Sequence, residues 1–148
     1  MKKLATILTA AAMFFTVSAF AARTDDVPAK VKAALEKSFA NASNVNWQKS
    51  DELYNVTFTW DSYNVKATYN AEGNLLSMSR ELGFTQLPLK VTMAITAKYK
   101  GYNVVGNVME VISDDVTLYH LTIANDKETI TLSSSIIGEL DVENRVKK

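Results

Sequence analysis

Two runs of strict alternation dominate the chain. Across residues 54–60, Tyr54, Val56, Phe58 and Trp60 fall on one side and Asn55, Thr57 and Thr59 on the other. Across residues 63–69, Tyr63, Val65, Ala67 and Tyr69 oppose Asn64, Lys66 and Thr68. A period of two with one apolar side predicts a half-buried antiparallel hairpin, turning at Asp61-Ser62. Asn70-Ala71-Glu72-Gly73 then predicts a tight turn with glycine where φ is positive, and residues 74–80 a further strand.

Upstream the period changes. Val31, Leu35 and Phe39 recur at four-residue spacing beside Val27 and Ala34, while Lys30, Lys32, Glu36 and Lys37 lie largely on other faces. This predicts a helix with one buried stripe, capped by Asp25 and Asp26, with Pro28 in its first turn and residues 41–44 ending it. Val45-Asn46-Trp47 is a short first strand, and residues 48–52 read as a turn. After a connection over 81–86 the pattern restarts. Leu87-Pro88 opens a second helix with stripe Val91, Ile95 and Tyr99. Lys98 and Lys100 complement its dipole, and Gly101 ends it. Residues 102–112, 116–124 and 129–137 follow as strands, with Asp114-Asp115 between the first two and 125–127 between the last two.

The restart is a repeat. Val27-Pro28, Val31, Leu35 and Phe39 match Leu87-Pro88, Val91, Ile95 and Tyr99 at a constant offset. Tyr54-x-Val56-x-Phe58 matches Tyr119-x-Leu121-x-Ile123, and Val65-x-Ala67 matches Ile130-x-Leu132. Gly73 and Gly138 also correspond, although Ile136-Ile137 makes a poor turn. The expected fold class is α+β: two tandem units of a helix followed by antiparallel strands, over about 25–82 and 85–142. They form one sheet with both helices packed on one face.

The start of the chain adds a compartment. Lys2 and Lys3 precede an uncharged apolar run ending in Ala19-Phe20-Ala21, the pattern of a secretory signal peptide over residues 1–21. Of the 148 residues, 127 then remain as one domain, 22–148, and the loss of Lys2 and Lys3 leaves 14 basic against 16 acidic residues, a net charge of −2. No basic patch invites nucleic acid. No later apolar run is long enough to span a membrane. With no cysteine, no disulfide supports the fold, so an exported domain must rest on its core alone.

The residues Val27-Pro28, Phe39, Val45-x-Trp47, Tyr54-x-Val56-x-Phe58, Ala67-x-Tyr69-Asn70-x-x-Gly73-Asn74-Leu75-Leu76, Leu87-Pro88 and Tyr99-x-Gly101-Tyr102 carry a resemblance. The chain resembles the PepSY-like family of small exported proteins, whose fold is similar to that of β-lactamase-inhibitor protein. The resemblance implies a periplasmic or extracellular location and a helix-then-strands unit in tandem. By fold analogy it implies protein binding through the open sheet face, with inhibition as one outcome. It brings no activity that can be assigned residue by residue.

The residues themselves offer three kinds of site. If Tyr54, Val56 and Phe58 face the helices, then Thr57, Thr59, Lys66 and Thr68 face away, with His120, Thr122 and Thr131 in the second unit. This face is broad and Thr-rich. It reads either as a docking face for another envelope protein or as a solvated sheet face, since threonine suits strands and no aromatic anchor stands there. Trp60 and Tyr63 flank a turn and are candidate anchors at the sheet's edge. The aromatics Trp47, Tyr54, Phe58, Trp60, Tyr63 and Tyr69 allow an alternative, a small-ligand carrier with a cavity between helices and sheet; packing in the core accounts for the same residues. No cofactor is implied. His120 is the only histidine and has no nucleophile or ligand set in its vicinity by spacing. The acidic pairs at 25–26, 51–52 and 114–115 have cap and turn chemistry, not calcium-loop spacing. The reading is therefore a non-enzymatic binding protein.

Overall fold

The computed structural model describes residues 26–148. Helix α1 (Ala29–Ser38) precedes strands β1 (Ser43–Ser50), β2 (Leu53–Trp60), β3 (Tyr63–Tyr69) and β4 (Leu75–Leu82). A 3₁₀ turn, Phe84–Gln86, leads to helix α2 (Leu89–Lys98) and strands β5 (Asn103–Ser113), β6 (Val116–Ala124), β7 (Glu128–Ser135) and β8 (Leu140–Lys147). The strands form one antiparallel meander in chain order, so that β1 and β8 are its edges. The molecule is α+β.

The register shows how one face becomes the core. Phe58 pairs with Val65, Val56 with Ala67, and Tyr54 with Tyr69. Ala67 pairs with Met78 and Val65 with Arg80, which pairs with Glu110. Glu110 pairs with Tyr119, and Leu121 and Ile123 continue to Leu132 and Ile130. Side chains alternate along each strand, so all of these share one face. Both helices cover that face. Val31 and Leu35 of α1 pack with Trp47, Tyr54, Val56 and Phe58. Val91 and Ile95 of α2 pack with Tyr119, Leu121, Ile123 and Ile130.

The turns follow from local chemistry. Asp61 and Ser62 both have positive φ, as do Asp114 and Asp115, the two-residue geometry whose twist matches a hairpin. At residues 70–74 the Asn70 side chain accepts from the Glu72 and Asn74 backbone N–H groups, and Gly73 takes φ +81°.

Four expectations change. An eighth strand, β8, extends the sheet where the sequence showed no alternating apolar side: its side chains are half-exposed or exposed throughout. β7 stops at Ser135, because residues 136–138 do form a turn, with the Gly138 N–H bonded to the Ser135 carbonyl. β1 reaches Ser50, so the turn read over 48–52 narrows to Asp51-Glu52. Pro28 occupies the N-cap of α1 with no side-chain cap, so Asp26 does not cap it; Asp25 lies outside the described residues, as does the signal peptide read over 1–21.

Candidate functional site

The sheet face turned away from the helices carries the candidate binding residues. Thr57 pairs with Lys66 and Asn55 with Thr68; Lys66 continues to Ser79, Ser79 to Val111 and Val111 to Leu118. Met109 pairs with His120, which pairs with Ser133, and Thr122 pairs with Thr131. Thr57, Thr59, Lys66, Thr68, His120, Thr122 and Thr131 therefore share one face. Thr57 and Lys66 are exposed and the others half-buried. They are not one cluster. β4 and β5 stand between Lys66 and His120, a separation of three strand spacings or roughly 14 Å.

What fills that gap is apolar. Met109, Val111 and Leu118 occupy the middle of the face, half-buried, bordered by Ser77, Ser79, Ser113, Ser133 and Ser135. Periodicity does not mark Met109 and Val111 for this face, because β5 carries apolar residues on both sides and its covered side holds Glu110, so polarity does not tell the two sides apart. β5 also bulges between Val105 and Met109, with Gly106 at φ +72°; Val104, Val108 and Glu110 face the core on both sides of it. A hollow of about 210 Å³ opens beside the apolar centre, lined by Asn64, Lys66, Ser79, Glu81 and Met109. At its far side the His120 Nδ1 lies 2.8 Å from Glu143 Oε1, where β8 bulges against β7. Among the described residues no group of three or more histidine, cysteine or acidic side chains could hold a metal ion.

Trp60 and Tyr63 lie on the helix-covered face and both are half-buried. The indole Nε1–H donates to the Ala40 carbonyl at 3.2 Å, and the ring meets Phe39 edge-on at 5.5 Å. Tyr63 accepts from Gln86 Nε2 at 2.8 Å and lies beneath the Arg80 guanidinium at 4.8 Å. Trp60 sits one strand and Tyr63 two strands in from the edge strand β1, so, contrary to expectation, neither stands at the sheet's edge. The remaining aromatics of the first half fill the core: Trp47, Tyr54, Phe58 and Tyr69 are all at most 6% exposed. The Tyr69 hydroxyl is buried without a partner, and burial raises its pKa.

Between the two helix-covered clusters runs a polar seam that spacing alone could not reveal. Arg80 on β4 and Glu110 on β5 form an ion pair at 2.5 Å, with side chains 28% and 10% exposed. Hydrogen bonding to Glu110 holds the Arg80 guanidinium above its ordinary pKa, against the lowering effect of burial. Tyr119 is raised, by burial first and then by the Glu110 charge. A buried carboxylate needs such a partner, and Tyr63 and Tyr119 close the seam on either side.

No family model matches the sequence, and no curated protein matches it. Solved structures do. A BLIP-like protein from Bacteroides fragilis superposes with a TM-score of 0.67 at 24% identity, over 80% of this chain and 86% of its own. A DUF2874 family protein from Bacteroides uniformis gives 0.65 at 20%, over 81% and 88%. A candidate periplasmic protein from Bacteroides eggerthii gives 0.66 at 17%, over 82% and 88%. At these identities the likeness is one of architecture, and the eight-stranded sheet with two helices is the BLIP-like fold.

Proposed function

We propose that this is an exported, non-enzymatic protein that docks on another envelope protein through the open face of its sheet. The observation that carries the reading is the make-up of that face. A merely solvated antiparallel face is polar. This one sets Met109, Val111 and Leu118 at its centre and rings them with serine, threonine, Lys66 and His120, the apolar-core and polar-rim order of protein interfaces. The BLIP-like fold favours a protein as the partner, with inhibition as the outcome of docking. The signal-peptide pattern and the periplasmic neighbour favour export, and the PepSY-like resemblance belongs to the same reading.

The domain itself reads as a duplication of a helix-and-strands unit over residues 22–148. Its two turn glycines support this. Gly73 lies against the Lys30 carbonyl and the Ala34 methyl, and Gly138 against the Lys90 carbonyl and the Ala94 methyl, the same pair of contacts in each half.

Affinity capture from the native envelope tests the function. The mature protein is compared with a variant carrying Thr57→Asp, Lys66→Glu and Leu118→Asp. These positions are half-buried or exposed on the open face, so the fold survives. One partner retained by the parent and lost by the variant is the expected result. A partner indifferent to all three changes would remove function from this face.

A further inference from the structure

The sheet's first edge is open. Among the described residues strand β1 pairs only with β2, so its outer backbone groups have no strand partner there. Beside that free edge runs an apolar groove of about 380 Å³ between α1 and β1, lined by Lys32, Leu35, Phe39, Ala42, Val45 and Trp47. The other edge strand, β8, meets the α2 cluster only through Leu140 and is exposed along the rest of its length.

The second half shows what such a groove accepts. The chain leaves both helices in the same way. Phe39 N–H bonds to the Leu35 carbonyl and Ala42 N–H to the Phe39 carbonyl; Tyr99 bonds to Ile95 and Tyr102 to Tyr99 in the same pattern. The corresponding groove, about 290 Å³, is bounded by Ile95, Tyr99 and Val104, but also by Tyr102 and Phe84. Tyr102 stands edge-on to Tyr99 at 5.6 Å, and its hydroxyl donates to Glu128. Phe84 follows directly on β4, which pairs antiparallel with β5. In the second half, then, a neighbouring antiparallel strand pairs with β5 from Val108 to Ser113, and just beyond its end the aromatic side chains of Phe84 and Tyr102 line and narrow the groove. In the first half neither is supplied. Ala42 stands where Tyr102 does, and among the described residues no strand precedes β1 in the sheet.

We infer that β1 and the α1–β1 groove bind an extended peptide segment of a partner, which adds as a ninth, antiparallel strand and lodges one aromatic side chain against Phe39, Ala42 and Val45. Backbone pairing at an open edge supplies affinity, and a pocket for alternate side chains supplies selectivity. Lys32 and Glu36 at the rim are opposite charges, so no net charge is demanded of the peptide. The site is separate from the open sheet face and does not depend on it.

The test is selection from a displayed library of random heptapeptides on the mature protein, with Ala42→Tyr as the counterpart. That substitution installs the residue the second half already carries, so it narrows the groove at the proposed aromatic site without asking the fold for anything new. Val45→Asp is the second variant, and thermal midpoints confirm that both fold. The expected result is enrichment of peptides with an aromatic residue at one fixed position among alternating β-formers. Their affinity falls at least about tenfold in both variants, and their amide-resonance changes concentrate on β1. Three results would overturn the inference: no enrichment over Ala42→Tyr, resonance changes away from β1, or a β1-mediated dimer of the parent protein that blocks the peptides and is lost in Ala42→Tyr. The last would assign the groove to a second copy.

Discussion

Substituting three glycines by alanine separates backbone strain from close packing. Gly106, Gly73 and Gly138 all have positive φ, at +72°, +81° and +88°. An L-residue there costs about 1–2 kcal/mol whatever surrounds it. Around Gly106 nothing lies within 4 Å of an added Cβ, so Gly106→Ala carries the backbone cost alone. At Gly73 the new methyl would sit 3.1 Å from the Lys30 carbonyl oxygen, and at Gly138 2.7 Å from that of Lys90. The second distance is shorter than real Cβ contacts, and both obstacles are helix backbone. Overpacking of this kind adds about 1–3 kcal/mol. The predicted order is Gly106→Ala at about 1–2 kcal/mol, Gly73→Ala somewhat above it, and Gly138→Ala at about 2–5 kcal/mol. Urea unfolding followed by tryptophan fluorescence measures all three, with equal m-values as the control. If Gly138→Ala costs no more than Gly106→Ala, the turn does not press on α2 and the register of β7, turn and β8 is wrong.

Three further predictions use the core and its seam. Phe58→Ala empties a side chain only 3% exposed and should cost about 3–5 kcal/mol. Trp60→Ala removes a half-buried ring and one hydrogen bond and should cost about 1–3 kcal/mol; equal losses in urea titrations would contradict the packing of Trp60. Arg80→Met and Glu110→Gln each leave a partly buried partner unpaired. Each should cost about 1–3 kcal/mol, below the fully buried range because Arg80 keeps solvent contact, and the double variant should cost less than the sum; strict additivity would mean no coupling across β4 and β5. Tyr69, Tyr102 and Tyr119 all have raised pKa values. A raised folded-state value keeps its stabilisation below the ordinary tyrosine pKa near 10 and loses it as pH climbs further. Thermal midpoints should therefore fall above about pH 10, and Tyr69→Phe should flatten that fall at no cost to neutral-pH stability, since its hydroxyl has no partner. A flat parent profile would refute this.

Much of the frame was legible because burial imposes periodicity. The stripe Val31, Leu35, Phe39 and its counterpart Val91, Ile95, Tyr99 are buried as their spacing required, and the alternation in β2 and β3 marks the covered face. Strand β8 was not legible, since an edge strand exposed on both faces has no apolar side. It is held by backbone pairing to β7 and by contacts from afar, such as Arg145 to Glu128 at 3.6 Å. The Arg80–Glu110 pair joins residues thirty positions apart, which only sheet register brings together. Which side chains of β2, β3, β6 and β7 point away from the helices was legible from their alternation. The apolar centre of that face on β5 was not legible, because β5 is apolar on both sides and places the charged Glu110 on the covered one.

Site-specific photocrosslinking tests the docking claim most directly. A benzophenone side chain is placed at Leu118 or Lys66 on the open face, or at Ala33 on the exposed surface of α1, and the cells are irradiated with the protein in its native envelope. The account predicts one discrete adduct shared by Leu118 and Lys66 and absent from Ala33. No adduct from the open face, or the same adduct from all three positions, would contradict it.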